Sequence, residues 1–251
     1  MIAAMLLHGF ATNKLDFISI IPFLKKRYDA IFLEDLPGHG GNGSLEDFTV
    51  DNVINFVNEK YDELSLKYDK IDVYGYSMGG VLATYLAVNK DVNRIILLAP
   101  ANKYVNARAF AKKIKTEIMI MNKDDSRSMV LKENDKIGID VVINDLMPRY
   151  TVSTISTFIS IVRICNNSLK ENDVKTLLVK GDMDELVPNS ASDYLKKYFH
   201  NLDEQIIPDL GHLMLKARNY RLIINKVKKF LDELFYSSFL LRKKKMLIEH
   251  L

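Results

Sequence analysis

An alcohol attacks a carbonyl at neutral pH only when a base within hydrogen-bond reach takes its proton. The segment Gly75-Tyr76-Ser77-Met78-Gly79 sets such an alcohol between an apolar run at 71–74 and a helical pattern over Met78–Asn89. Glycines two positions to either side of Ser77 remove the Cβ atoms that would clash in a tight strand-to-helix turn, and Gly80 lets the helix approach the strand. The hydroxyl then projects above a sheet edge, with a helix N-terminus beneath it to favour developing negative charge. A plain strand-to-helix turn accounts for the same letters without chemistry, so the partners decide.

Five histidines compete to be the base. His200 and His250 stand in polar sequence and read as surface residues. His39 lies in the glycine-rich turn Leu36-Pro37-Gly38-His39-Gly40 and reads as turn packing, while His8 ends the first apolar run and reads as loop geometry. His212, in Asp209-Leu210-Gly211-His212, follows the last strand pattern and precedes the last helical one, at the same edge as Ser77. Such a base needs a carboxylate that fixes its tautomer and stabilises the imidazolium. Asp182, Asp184 and Glu185 all follow the strand pattern at 176–179, and pattern alone does not choose between them.

The elements that must position these groups alternate. Ile2–Leu7, Ala30–Leu33, 71–74, Arg94–Leu98, 176–179 and 204–207 read as buried strands; 15–26, 50–66, Met78–Asn89, 190–198 and 217–235 read as helices. This rhythm predicts an α/β fold with a mostly parallel sheet covered by helices on both faces. Residues 102–165 break it with helical pattern only. The organisation is therefore a core of 1–101 and 166–251 with a helical insertion at 102–165, over the sheet end where ligands bind in such folds.

Ordered along the chain, His8-Gly9-Phe10, Asp35 to Gly40, the Gly75 to Gly79 elbow, and the Asp184 and Gly211-His212 loops resemble the α/β-hydrolase superfamily over nearly the whole length. The narrower likeness, carried by the lid-like insertion and Asp184 to Ala191, is to its carboxylesterase and monoacylglycerol lipase branch. The resemblance selects Asp184 among the three acids, three residues after the glycine closing its strand. It implies a Ser77, His212, Asp184 triad, with oxyanion donors in the backbone N–H groups of Phe10 and Met78. It implies no cofactor and a small-molecule ester or acyl-chain substrate. Because the chain begins almost on the His-Gly strand, the sheet is expected to have about six strands, unless the start lies further upstream.

Apolar side chains of the insertion, Met119, Ile120, Met121, Ile143, Leu146, Met147 and Phe158, are candidates for lining an acyl pocket or for packing the lid. Its basic residues, Arg108, Lys112, Lys113, Arg127, Arg149 and Arg163, keep open an anionic substrate. Thioester hydrolysis, carbon–carbon cleavage or a lyase reaction like those of menaquinone synthesis would use the same triad. A non-catalytic binding protein on this fold is the other alternative.

Composition removes other classes. A net charge of +3 over 251 residues does not suggest a nucleic-acid binder. One cysteine, Cys165, excludes an intrachain disulfide framework and a cysteine zinc site, and no His/Asp/Glu cluster outside the triad has metal-ligand spacing. Met1 to Leu7 lacks the charged lead and length of a secretory signal, and no run reaches a membrane span, so a cytoplasmic protein without stable membrane insertion is expected. The tail cluster Arg242-Lys243-Lys244-Lys245 reads as a solvated helix end.

Overall fold

Ile2–Leu7 and Arg94–Leu98 are apolar nearly throughout, and such strands are stable only where both faces of the sheet are covered. The computed structural model describes residues 1–40, 44–104 and 152–232. Within them the strands are β1 Ile2–Leu7, β2 Ala30–Leu33, β3 Lys70–Tyr76, β4 Arg94–Leu98, β5 Lys175–Gly181 and β6 Leu202–Ile207. They form one six-stranded, wholly parallel sheet in the order β2-β1-β3-β4-β5-β6. Six strands is the number expected from the sequence.

Helices α1 (Ile21–Leu24), α2 (Val50–Ser65), α3 (Met78–Asn89), α4 (Val152–Asn167) and α5 (Ser190–Lys196) are followed by α6 at 220–232. Helix α2 starts at Thr49, whose side chain accepts the Asn52 N–H at 3.1 Å, and turns Val53, Val57 and Tyr61 inward at four-residue spacing. Helix α3 is buried on nearly every side, which its run of small and aliphatic residues permits. Two cores result. Helices α2, α3, α4 and α5 cover one face, with Val57, Leu82, Phe158 and Leu195 among the buried residues. Helices α1 and α6 cover the other, with Phe17, Leu24, Ile223 and Val227.

Because β1 is flanked by β2 on one side and β3 on the other, the loops leaving β1 and β3 diverge to opposite faces. Ser77 follows β3 at that switch point, at the carboxyl edge of the sheet, where folds of this kind bind ligands. The segment 15–26, expected as one helix, is instead the 3-10 turn Lys14–Phe17, capped by Asn13, followed by the short α1 with Pro22 in its first turn. Met119, Ile120, Met121, Ile143, Leu146 and Met147, together with Arg108, Lys112, Lys113, Arg127, Arg149 and the tail from 233, lie outside the described residues.

Candidate active site

The elbow is built by close backbone packing. A Cβ on Gly79 would stand 1.8 Å from the Leu7 carbonyl oxygen, and one on Gly75 2.3 Å from that of Gly79. Only glycine lets α3 come this close to the ends of β1 and β3. Between them Ser77 takes φ 53° and ψ −113°, a conformation that L-residues rarely adopt. Its N–H donates to Leu98 O at 2.9 Å and its carbonyl accepts from Ala101 N at 3.1 Å, which ties the turn to the end of β4.

The structure brings the three side chains named from the sequence together. Ser77 Oγ–H donates to His212 Nε2 at 3.0 Å, and His212 Nδ1–H donates to Asp184, with Oδ2 at 3.0 Å and Oδ1 at 3.1 Å. Asp182 and Glu185 do not occupy the position beside the ring. Ser77 and His212 are each 4% exposed, so the chain of bonds is shielded from bulk water. Asp184 Oδ1 also accepts the N–H groups of Leu186 (2.9 Å) and Val187 (2.8 Å). Burial alone raises the Asp184 carboxyl; the hydrogen bond and charge of His212, with these two N–H groups, outweigh it and hold the carboxyl below its ordinary value. Gly181 lets the two loops meet, since a Cβ there would stand 1.7 Å from Leu210 O.

The turn after β1 lies beside Ser77, for a Cβ on Gly9 would be 3.4 Å from that of Ser77. Two groups fix the Gly9 carbonyl: His8 Nδ1–H and Thr12 Oγ1–H, each at 2.9 Å. The Phe10 N–H belongs to the same planar peptide and points the opposite way, so these bonds set its direction. His8 Nε2 accepts the Leu36 N–H at 2.9 Å, which fixes the neutral Nδ1–H tautomer and ties this turn to the one after β2. Burial holds the His8 ring below the usual imidazole value, against the pull of Asp16, Gly9 O and Asp35. Met78 opens α3 directly beneath Ser77.

His39 is buried, donates its Nδ1–H to Pro37 O (3.0 Å), and packs edge-on against Phe48 at 4.7 Å. Burial, then the neighbouring His8, bring it down to about 3. His200 is half-exposed beside Glu171 and Asp173. Phe158, on α4, stacks on Phe10 at 5.0 Å and is 1% exposed, while Arg163 on the same helix faces solvent. Sequence reasoning missed two residues that touch His212. Tyr76 donates its hydroxyl to His212 O at 3.0 Å, and Glu185 Oε2 accepts the His212 N–H at 3.2 Å. Neither contact carries a local signal in the sequence, because each joins residues far apart in the chain. Among the described residues, no group of three or more His, Cys, Asp or Glu side chains could hold a metal ion, and no helix is long and apolar enough to cross a membrane.

A family model of the alpha/beta hydrolase fold matches residues 5–113. A Mycoplasma genitalium protein that carries an esterase/lipase designation is 28% identical over 246 residues, spanning 91% of this chain and 88% of its own. Human monoacylglycerol lipase ABHD6 is 25% identical over 241 residues, spanning 85% of this chain and 71% of its own. A crystal structure of a protein described as a lipase, from Acinetobacter baumannii, shares the fold with a TM-score of 0.73 at 19% identity, over 94% of this chain and 85% of that one.

Proposed function

We propose that the chain is an α/β-hydrolase of the esterase and monoacylglycerol lipase branch, as its similarity to such proteins supports, and that it cleaves carboxylic esters through an acyl-enzyme on Ser77. The observation that carries this reading is the buried run of hydrogen bonds from Ser77 Oγ through His212 to Asp184, each 3.0 Å long and so of ordinary hydrogen-bond length. His212 Nε2 takes the proton of Ser77 as Oγ attacks the ester carbonyl carbon, and Asp184 stabilises the imidazolium. The tetrahedral oxyanion accepts the N–H groups of Phe10 and Met78, each donor contributing about 3–4 kcal/mol in the transition state. His212 then gives its proton to the leaving alkoxide. A water molecule, deprotonated by the same nitrogen, attacks the acyl-enzyme, and the proton returns to Ser77 Oγ. Substrate choice is assigned to the insertion 102–165, of which Phe158 packs on the Phe10 ring.

A panel of neutral p-nitrophenyl esters, acyl thioesters and carboxylated substrates, run on the protein beside Ser77→Ala, tests this. Neutral esters should be preferred, the variant should lose about six orders of magnitude in kcat, and a fluorophosphonate should label Ser77 of the parent. An unlabelled parent, or a preference for thioesters or anionic substrates, overturns the proposal.

A further inference from the structure

His212 sits in the short irregular stretch between β6 and the 3-10 turn Met214–Lys216, where its chain offers little to fix the ring. Asp209 in that stretch has φ 54°, and the local bond made by His212 is Met214 N to His212 O at 2.7 Å. A base has to be held within roughly 0.5 Å of its productive place. The holding comes from the two neighbouring loops. Tyr76 donates its hydroxyl to His212 O (3.0 Å) and lays its ring along the imidazole, centroids 5.6 Å apart and planes inclined by 30°. Glu185 Oε2 accepts the His212 N–H (3.2 Å), a contact that Gly211 admits, since a Cβ there would stand 3.1 Å from that oxygen.

We infer that Tyr76 and Glu185 are positioning residues that clamp the His212 backbone from both sides and favour transfer of the Ser77 proton to its ring. The inference rests on the reading of Ser77, His212 and Asp184 as the triad. Its logic lies in chain adjacency: Tyr76 precedes the nucleophile and Glu185 follows the acid, so each outer member of the relay brings a neighbour that grips the middle one. A shift of the base relative to Ser77 stretches the tyrosine bond, and a shift relative to Asp184 stretches the glutamate bond. Both residues also act on charge. The imidazolium exists only after the proton has moved, and it then has an aromatic face beside it and a second carboxylate near its backbone. Interactions that strengthen at that stage lower the barrier rather than merely the ground state. The other charged groups on elements around His212 are Asp184, with Asp182 and Asp209 on the same two loops, and the Lys216–Asp16 ion pair at 2.9 Å on the 3-10 turns.

Three variants separate the effects: Tyr76→Phe, Tyr76→Leu and Glu185→Gln, each followed by kcat and KM from pH 5 to 9 on a neutral p-nitrophenyl ester, with thermal melting alongside. In Tyr76→Phe the His212 carbonyl keeps its bond from Met214 N, so nothing buried is orphaned; kcat should fall about tenfold at unchanged KM, with the acid limb of the profile in place. Tyr76→Leu also removes the aromatic face and should move the acid limb down by about half a pH unit. Glu185→Gln keeps an acceptor for the N–H but loses the charge, and should move the limb down by a similar amount. Profiles of Tyr76→Phe and Glu185→Gln that superimpose on the parent's overturn the inference, while labelling of Ser77 in the parent by a fluorophosphonate keeps the triad reading intact. An unlabelled parent overturns that reading itself.

Discussion

Replacing Asp184 by asparagine is the sharpest test of the relay, because the structure dictates which way the amide must face. Oδ1 accepts two backbone N–H groups, from Leu186 at 2.9 Å and Val187 at 2.8 Å. An amide nitrogen cannot accept them, so the asparagine carbonyl oxygen must take the Oδ1 position and its NH₂ the Oδ2 position. There it lies about where Oδ2 stands now, 3.0 Å from His212 Nδ1. The carbonyl oxygen kept at the Oδ1 position, 3.1 Å from Nδ1, could still accept an Nδ1–H, but the NH₂ at 3.0 Å would face that hydrogen donor to donor; moving the proton from Nδ1 to Nε2 relieves the clash and lets Nδ1 accept from the amide. The nitrogen facing Ser77 Oγ is then a donor and no longer a base. In a serine triad that inversion lowers kcat by about four orders of magnitude, about 5.5 kcal/mol of transition-state stabilisation. The fold should persist, since both loop N–H groups keep an acceptor. Asp184→Ala, by contrast, orphans both and should cost about 1–3 kcal/mol of stability for each. Hydrolysis of a p-nitrophenyl ester at pH 8, beside thermal melting of both variants, reads the two effects separately. Activity of Asp184→Asn within tenfold of the parent would refute the assignment of Asp184 as the carboxylate that orients the base.

Three further outcomes follow from the same contacts. Gly79→Ala should destabilise by more than about 4 kcal/mol, seen as loss of folded protein or a collapsed melting temperature, because its Cβ meets the Leu7 carbonyl at 1.8 Å; Gly80→Ala, which meets the Pro100 side chain at 2.8 Å, should be milder. His39 is held by burial at about 3 in place of 6.5, so its neutral form contributes stability above pH 6.5 that is lost as the pH falls toward 3. Urea unfolding at pH 7 and pH 5 should show this loss, and His39→Phe, which keeps a ring against Phe48, should reduce it. Phe158→Ala removes the ring stacked on Phe10 and should shift the optimum of an ester chain-length series toward longer acyl chains, each added methylene contributing about 0.8 kcal/mol; an unchanged optimum would separate Phe158 from substrate choice.

The elements legible in the sequence were those whose signal is local and whose burial is complete. Ile2–Leu7, Met78–Asn89 and Arg94–Leu98 stand where the apolar pattern put them, because strands and helices buried on all sides leave no polar phase to misread. The edge strand β6 was read short, from 204, whereas pairing with β5 begins at Leu202. Leu202 is partly buried and Asp203 exposed there, so the backbone ladder carries the strand and the side chains do not. The segment 15–26 misled for another reason: the inward positions Phe17, Ile20 and Leu24 fit one helix by spacing, yet they are reached by two short turns. Within the site, Ser77 was legible because the glycines that make room for it lie two residues away. Tyr76 was not legible as a partner of His212, for the two are 136 residues apart and nothing in a tyrosine's neighbours announces which distant carbonyl its hydroxyl will find.

Strain is distributed unevenly, and its distribution explains how the Ser77 hydroxyl comes to face His212. Among the described residues, the non-glycine residues with positive φ are Ala11, Ser77, Ala99 and Asp209, and they follow β1, β3, β4 and β6 at the carboxyl edge of the sheet. Each costs about 1–2 kcal/mol, together a sizeable share of the roughly 5–15 kcal/mol by which a domain is stable. Two of them are fixed by backbone bonds to the adjacent strand, Ser77 N to Leu98 O of β4 and Ala99 N to Val179 O of β5, both at 2.9 Å. A serine at the start of a helix ordinarily relaxes into extended backbone and turns its oxygen onto the free N–H groups of the first turn. Ser77 stands at that position in α3 and makes no such capping bond. Held at φ 53°, it directs Oγ away from its own helix and across to His212, 3.0 Å away. The same serine in a relaxed turn would cap α3 and not face His212, so the conformational cost at this edge is what turns a capping residue into the proposed nucleophile.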